Sequence, residues 1–182
     1  LCSFKQKNFF KKYHNRKILG VQIICIKEKK PLGTGGALFN LKNYIKKDFF
    51  LFNGDSFFPI NLDLFYKFSI KEQKIISIAC NKNTNYKSNK KISNLIIKNN
   101  ILHNNNKKSN IMNGGIYYIK KNFLKLVPNK VSSLEDDYLK DLIVKKKVSG
   151  KIFPNYFIDI GIKKNLNFAK KTLLKSFSTK AA

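Results

Sequence analysis

Three short segments carry residue types whose spacing suits phosphate chemistry. Pro31-Leu32-Gly33-Thr34-Gly35-Gly36-Ala37 lies between an apolar run and a helical pattern. Glycines there let the backbone approach a ligand closely, and N–H groups at a helix start attract anions or nucleotide edges. The segment lacks the Gly-Lys-Ser/Thr of a P-loop and the spaced third glycine of a dinucleotide fingerprint, and a plain tight turn is the competing reading. Phe49-Phe50-Leu51-Phe52-Asn53-Gly54-Asp55 puts a carboxylate directly after an apolar strand. That is the carboxyl edge of a sheet, where a Mg²⁺ bridging phosphates is held by few protein ligands and several waters. Asn-Gly-Asp is also ordinary turn chemistry. Phe157-Ile158-Asp159-Ile160-Gly161 sets an aspartate among apolar neighbours in a strand. A buried, unpaired carboxylate is costly, so it calls for a cation or several donors. Paired across a site with Asp55, Asp159 would complete a two-carboxylate metal seat.

Two further segments are less specific. Asn113-Gly114-Gly115-Ile116-Tyr117 offers a polar amide at the start of a strand with room beside it. Ser133-Leu134-Glu135-Asp136-Asp137 gathers three acids in a chain that has only ten. Capping and the helix dipole account for at least one of those three.

The elements that must position these residues follow from periodicity. Residues 4–15 read as an amphipathic helix, and nothing before Val21 reads as a buried first strand. Val21–Ile26 reads as a buried strand, Pro31–Gly36 as loop, and Ala37–Ile45 as helix. Phe49–Phe52 is a second buried strand, Asp63–Ile70 a helix and Ile75–Ala79 a third strand. Residues 81–110 are rich in Asn and Lys and read as a mobile lobe, with short strands at Leu95–Ile97 and Ile101–Leu102 around a turn at Asn99-Asn100. Gly115–Ile119 is a strand, Ser133–Val144 a helix capped by Ser132 or Ser133, Phe157–Ile160 a strand and Leu166–Leu174 a terminal helix. This alternation predicts an α/β fold with a mostly parallel sheet and functional loops at the strand carboxyl ends.

Composition narrows the function classes. The 182 residues predict one domain spanning 1–182, and 43% hydrophobic residues are enough for a core. No apolar run approaches the ~18 residues of a membrane span, and no signal peptide is present. Three widely spaced cysteines, Cys2, Cys25 and Cys80, exclude a disulfide scaffold and a cysteine zinc site, and point to a reducing, cytoplasmic setting. Two distant histidines, His14 and His103, exclude a His-rich metal site. The net charge of +27 suggests nucleic acid, but all but one of the 37 basic residues are Lys and they run from Lys5 to Lys180 without a block. Nucleic-acid sites favour Arg for its bidentate fork. Compositional drift explains the lysines better, and a basic nucleic-acid-binding domain is the rival reading from another class. No specific nucleic acid and no membrane partner are expected.

Taken in order, Glu28-x-x-Pro-Leu-Gly-Thr-Gly-Gly-Ala, Asn-Gly-Asp, Asn-Gly-Gly-Ile-Tyr, Ser-Leu-Glu-x-Asp and Phe-Ile-Asp-Ile-Gly resemble the sugar-1-phosphate nucleotidyltransferase family, from about residue 17 to residue 174. Within it the chain is most similar to the short D-glycero-D-manno-heptose 1-phosphate guanylyltransferases. The resemblance implies the doubly wound sheet of the nucleotide-diphospho-sugar transferase fold, of Rossmann-like type. It implies that Glu28, Leu32, Gly33, Thr34, Gly35 and Gly54 hold the nucleotide, the Glu28 carboxylate accepting from guanine N1–H and its amino group. Asp55 and Asp159 would be the catalytic pair that binds Mg²⁺, and Asn113, Gly114 and Glu135 would hold the sugar. The partners would be a nucleoside triphosphate and a sugar 1-phosphate, joined into a nucleotide sugar and pyrophosphate for surface polysaccharide synthesis. GTP with a heptose 1-phosphate leads. Mannose 1-phosphate with GTP, or uridylyl or thymidylyl transfer, follows.

The departures are specific. The family's opening Gly-rich signature, with its Arg and following Pro-Lys, is absent. The expectation is therefore an N-terminally truncated domain lacking its first strand, phosphate loop and first helix, and little or no activity. Residues 103–108 read His-Asn-Asn-Asn-Lys-Lys where many relatives hold the sugar phosphate with Glu-Lys, which leaves Lys107 as the candidate.

Overall fold

The short apolar stretches before Glu28 each make a small element of their own. In this computed structural model residues 2–4, 7–82, 93–161 and 163–178 are described. They fall into two units, Leu1–Lys47 with Lys121–Leu142, and Asp48–Lys120 with Ile143–Ala182.

In the first unit β1 (Cys2–Phe4) is followed by α1 (Lys7–Tyr13), β2 (Lys17–Ile18), β3 (Val21–Gln22) and β4 (Ile26–Glu28). β1 pairs in parallel with β4, and β2 pairs antiparallel with β3. The helix expected over 4–15 is present but shorter, and a strand takes its first residue. Three residues are too few to show a period, and the partner strand decides their conformation. The buried strand expected over Val21–Ile26 is corrected. Leu19 (φ 48°) and Gly20 (φ 81°) turn the chain tightly, so Val21 ends up in an exposed hairpin, 61% accessible, and the next strand begins only at Ile26 and is buried only at Glu28. α2 (Gly33–Gly36) runs into a 3₁₀ helix at Ala37–Leu41, shorter than the helix expected to Ile45. Lys42 closes it by donating from Nζ to the Val127 carbonyl at 2.6 Å. A 3₁₀ turn at Lys121–Leu126 and a π-helical stretch at Leu134–Leu139 complete the unit. Leu32, Leu38, Phe123, Leu124, Val127 and Leu134 are among its buried apolar residues.

The second unit contains β5 (Phe49–Phe52), β6 (Ser56–Phe57), α3 (Leu62–Glu72), β7 (Ile76–Lys82), β8 (Ser93–Lys98), β9 (Ile101–Ser109) and β10 (Ile111–Ile119). After α4 (Lys140–Val144) come β11 (Val148–Phe153), β12 (Ile158–Asp159) and α5 (Lys163–Ser178). Six strands form one sheet in the order β5-β10-β7-β11-β9-β8. Within it β7 and β11 are parallel, while β10 is antiparallel to both β5 and β7, and β9 is antiparallel to both β11 and β8.

The sheet is therefore mixed, not mostly parallel. A helix, α3, separates β5 from β7, and the two strands run the same way. Among the described residues no helix separates β7 from β10. The chain makes the β8/β9 hairpin instead and returns antiparallel, inserting between β5 and β7. The hairpin turns at Asn99 (φ 47°) and Asn100 (φ 63°), the left-handed pair a tight two-residue turn needs. Of the expected lobe over 81–110, Asn81 and Lys82 finish β7 and residues 93–109 belong to the sheet, while 83–92 lie outside the described residues.

β5 is an edge strand, half-buried where full burial was expected, with Phe52 50% accessible. α3 starts where Asn61 accepts the Leu64 N–H at 2.9 Å and ends at Gln73 (φ 51°). Its inner face packs Phe65 into a core of Phe58, Ala79, Ile116, Tyr118 and Phe153. No helix among the described residues is long and apolar enough to cross a membrane.

Candidate functional site

The candidate residues form two groups, one in each unit. In the first unit the glycine loop closes on the segment 130–135. Ser132 donates its N–H to the Leu32 carbonyl at 2.9 Å, and the Ser132 carbonyl accepts from Gly35 N at 2.9 Å and Gly36 N at 3.2 Å. A methyl group on Gly33 (φ 74°) would stand 2.5 Å from the Ser132 carbonyl oxygen. One on Gly36 would stand 2.4 Å from that of Lys130. The glycines thus admit another stretch of this chain. The N–H groups of Gly35 and Gly36 are taken by the Ser132 carbonyl. Thr34 Oγ1 accepts from Leu134 N and donates to Glu135 Oε2, both at 2.9 Å. Ser133 is the N-cap, accepting the Asp136 N–H at 3.0 Å.

Glu28 ends β4 and is 9% accessible. Its Oε1 is buried with no hydrogen-bond partner among the described residues. Burial pushes its carboxyl above the ordinary glutamate range. A buried carboxylate oxygen left in this state is satisfied only by donors brought from outside.

In the second unit the two aspartates converge. β12 pairs with β6 so that Asp159 stands opposite Ser56, and Ile160 N donates to the Asp55 carbonyl at 2.8 Å. A methyl group on Gly161 would lie 2.9 Å from Asp55 Oδ2 and 3.1 Å from Asp159 Oδ1, so both carboxylates border one small space. Asp159 Oδ1 accepts the Gly161 N–H at 3.0 Å, and Asn165 of α5 holds the Asp159 carbonyl at 2.8 Å. Asp159 is half-buried and Asp55 exposed, which corrects the expectation of a buried aspartate. β12 is only two residues long and pairs outside the main sheet, so water reaches it. Two carboxylates bordering a space kept open by a glycine are hard oxygen donors, and Mg²⁺ with its retained waters fits them. Among the described residues no three His, Cys, Asp or Glu side chains gather as a larger metal cluster.

Asn113 and Gly114 lie at a bulge in β10. The Asn113 amide donates to Tyr117 Oη at 2.8 Å and accepts from Gly115 N at 3.0 Å. Gly114 is needed because a methyl group there would strike the Phe58 ring and the Ala79 carbonyl. Gly115 (φ 72°) fastens the loop after β5, its carbonyl accepting from Asn53 N at 2.8 Å. A methyl group on Gly54 would meet nothing within 4 Å. Asn113 and Glu135, paired by the resemblance as sugar ligands, belong to different units. The sequence reading assigned no role to Gly115 or Gly161. The Gly-Gly doublet and the glycine after Asp-Ile were the available signals.

No protein-family model matches the chain. It is 31% identical over 156 residues to the D-glycero-alpha-D-manno-heptose 1-phosphate guanylyltransferase of Campylobacter jejuni, covering 84% of this chain and 68% of that protein. The chain belongs to the sugar-1-phosphate nucleotidyltransferase family. This nucleotidyltransferase is also 33% identical over 147 residues to the bifunctional protein GlmU of Methanococcus maripaludis, spanning 35% of that longer protein and 77% of its own length. In three dimensions the nucleotidyltransferase resembles HddC from Yersinia pseudotuberculosis, with a TM-score of 0.73, 22% identity, and coverage of 94% of this chain and 76% of that one. HddC has also been crystallised with GMP-PN. At that identity the likeness establishes the fold.

Proposed function

We propose that the reaction this chain's site serves is transfer of a guanylyl group from GTP to a heptose 1-phosphate, giving a nucleotide sugar and pyrophosphate. The observation that carries the reading is the convergence of Asp55 and Asp159 on Gly161. The similarity to a heptose 1-phosphate guanylyltransferase supports the substrate class.

An oxygen of the sugar phosphate attacks the α-phosphorus in line. A new P–O bond forms there, the bond to the bridging oxygen breaks, and pyrophosphate leaves. Asp55 and Asp159 would hold Mg²⁺, which when bound would neutralise charge on the phosphoryl oxygens. The attacking phosphate is already ionised near neutral pH, so no strong general base is required. Neither histidine belongs to either group: His14 accepts the Cys25 N–H at Nδ1, and His103 lies in β9. Positioning and electrostatics carry the reaction.

Glu28 reads the base. Guanine presents two adjacent donors, N1–H and N2–H, which match a carboxylate whose buried oxygen has no partner in the protein. Uracil and thymine present one donor between two acceptors and would face that carboxylate badly. Glu135 and Asn113 bind sugar hydroxyls.

The test is pyrophosphate release by the 182-residue chain with GTP, UTP or dTTP against heptose 1-phosphate or mannose 1-phosphate, with and without MgCl₂. Mg²⁺-dependent GTP binding is expected, with little or no release, because these 182 residues do not include the Gly-rich signature that clamps the triphosphate. Absence of both pyrophosphate release and Mg²⁺-dependent GTP binding overturns the reading.

A further inference from the structure

The Thr34 hydroxyl is used twice. It accepts the Leu134 N–H and donates to Glu135 Oε2, each at 2.9 Å. A hydroxyl carries one proton. With the amide occupying a lone pair, that proton is directed to the carboxylate, in a charge-assisted bond. Both partners together fix the hydroxyl rotor. Ser133 Oγ stands 3.5 Å from the same carboxylate oxygen and is the weaker holder, being already the cap for Asp136 N.

The surroundings leave the loop no room to slide past this segment. Ser132 and Leu32 are tied through the backbone, and Ser132 holds Gly35 and Gly36 in turn. A methyl group on Gly35 would lie 2.9 Å from Ser132 Oγ and 3.1 Å from Leu134 N. Thr34 therefore sits at a fixed place relative to the backbone that carries Glu135.

We propose that Thr34 is the positioning residue of Glu135, so that the loop assigned to the nucleotide also sets the orientation of the carboxylate assigned to the sugar. The proposal rests on the reading of Glu135 as a sugar ligand. It makes the sequence Gly-Thr-Gly-Gly serve both substrates: the glycines admit the segment 130–134, and the threonine orients the residue that follows it. Valine in place of Thr34 keeps the shape and removes both hydrogen bonds. Serine keeps both.

The experiment measures binding of D-glycero-α-D-manno-heptose 1-phosphate to the full chain by calorimetry, and exchange of the Leu134 amide by NMR. Thr34→Val is expected to weaken binding by about tenfold, a loss of one charge-assisted hydrogen bond's size. The same variant should speed exchange at Leu134. Thr34→Ser should restore both. The double variant Thr34→Val with Glu135→Ala should bind no more weakly than Glu135→Ala alone. Thr34→Val binding like the wild type beside a weakened Glu135→Ala overturns the positioning role and spares the sugar reading. Glu135→Ala binding like the wild type overturns the sugar reading and this proposal with it.

Discussion

Ile160 donates its backbone N–H to the carbonyl of Asp55 at 2.8 Å, joining two segments distant in sequence within the second unit. This bond continues the β6/β12 pairing by one step and brings Asp159 beside Asp55. Asp55→Asn and Asp159→Asn should each weaken Mg²⁺-dependent GTP binding. Loss of even an outer-shell partner costs about 10–100-fold in metal affinity, so a direct ligand should cost at least that. Titration of GTP binding against MgCl₂ in each variant checks this. Unchanged Mg²⁺ dependence in both would remove the metal seat.

Gly161 tests the same space without touching a carboxylate. A methyl group there would press on both aspartate oxygens. Gly161 is exposed, and its φ is not among the left-handed values, so alanine meets no backbone strain. Gly161→Ala should reduce Mn²⁺ binding, read by electron paramagnetic resonance, while the melting temperature stays close to that of the wild type.

Glu28 makes stability depend on pH. Burial holds its carboxyl protonated to a higher pH than in the unfolded chain. Between the two values the folded state binds more protons, so stability falls as pH rises through that window. The window opens at about pH 4, near the ordinary glutamate value. Glu28→Gln should remove this loss and melt higher than the wild type at neutral pH, while binding GTP more weakly. Thermal melts across the pH range check the first effect and calorimetry the second.

Two glycines separate packing from ligand approach. Gly36→Ala would drive a methyl group against the Lys130 carbonyl at 2.4 Å in a backbone conformation that alanine itself accepts. Overpacking of this kind costs about 1–3 kcal/mol, visible in denaturant unfolding. Gly54→Ala meets no neighbouring atom and should stay within about 0.5 kcal/mol of the wild type. Weaker GTP binding by Gly54→Ala would then report close approach of the nucleotide to this turn.

Much of the candidate site was readable from residue order. Asp55 follows a run of Phe and Leu that marks a strand end, and Asp159 sits inside the apolar run Phe-Ile-Asp-Ile, which reads as a strand. The helix after Asn61 and the cap at Ser133 follow from local chemistry, since a side-chain oxygen within three residues satisfies the open amides. Family membership rested on five weak motifs kept in order. None of this required knowing which strands pair.

Pairing and close approach were another matter. Strand direction in the sheet depends on what lies between β7 and β10, and an Asn/Lys-rich stretch carries no period that says hairpin or crossover. The accessibility of Asp159 depends on β12 leaving the main sheet for β6, a long-range choice of partner. The glycines of the loop after Pro31 advertise nearness to something, yet only the folded chain shows that it is Ser132 and Lys130. Local sequence encodes dihedral preference, capping and burial tendency, because those forces act over a few residues. Which groups meet across a hundred residues is decided by packing, where the identity of the neighbour is a property of the whole chain.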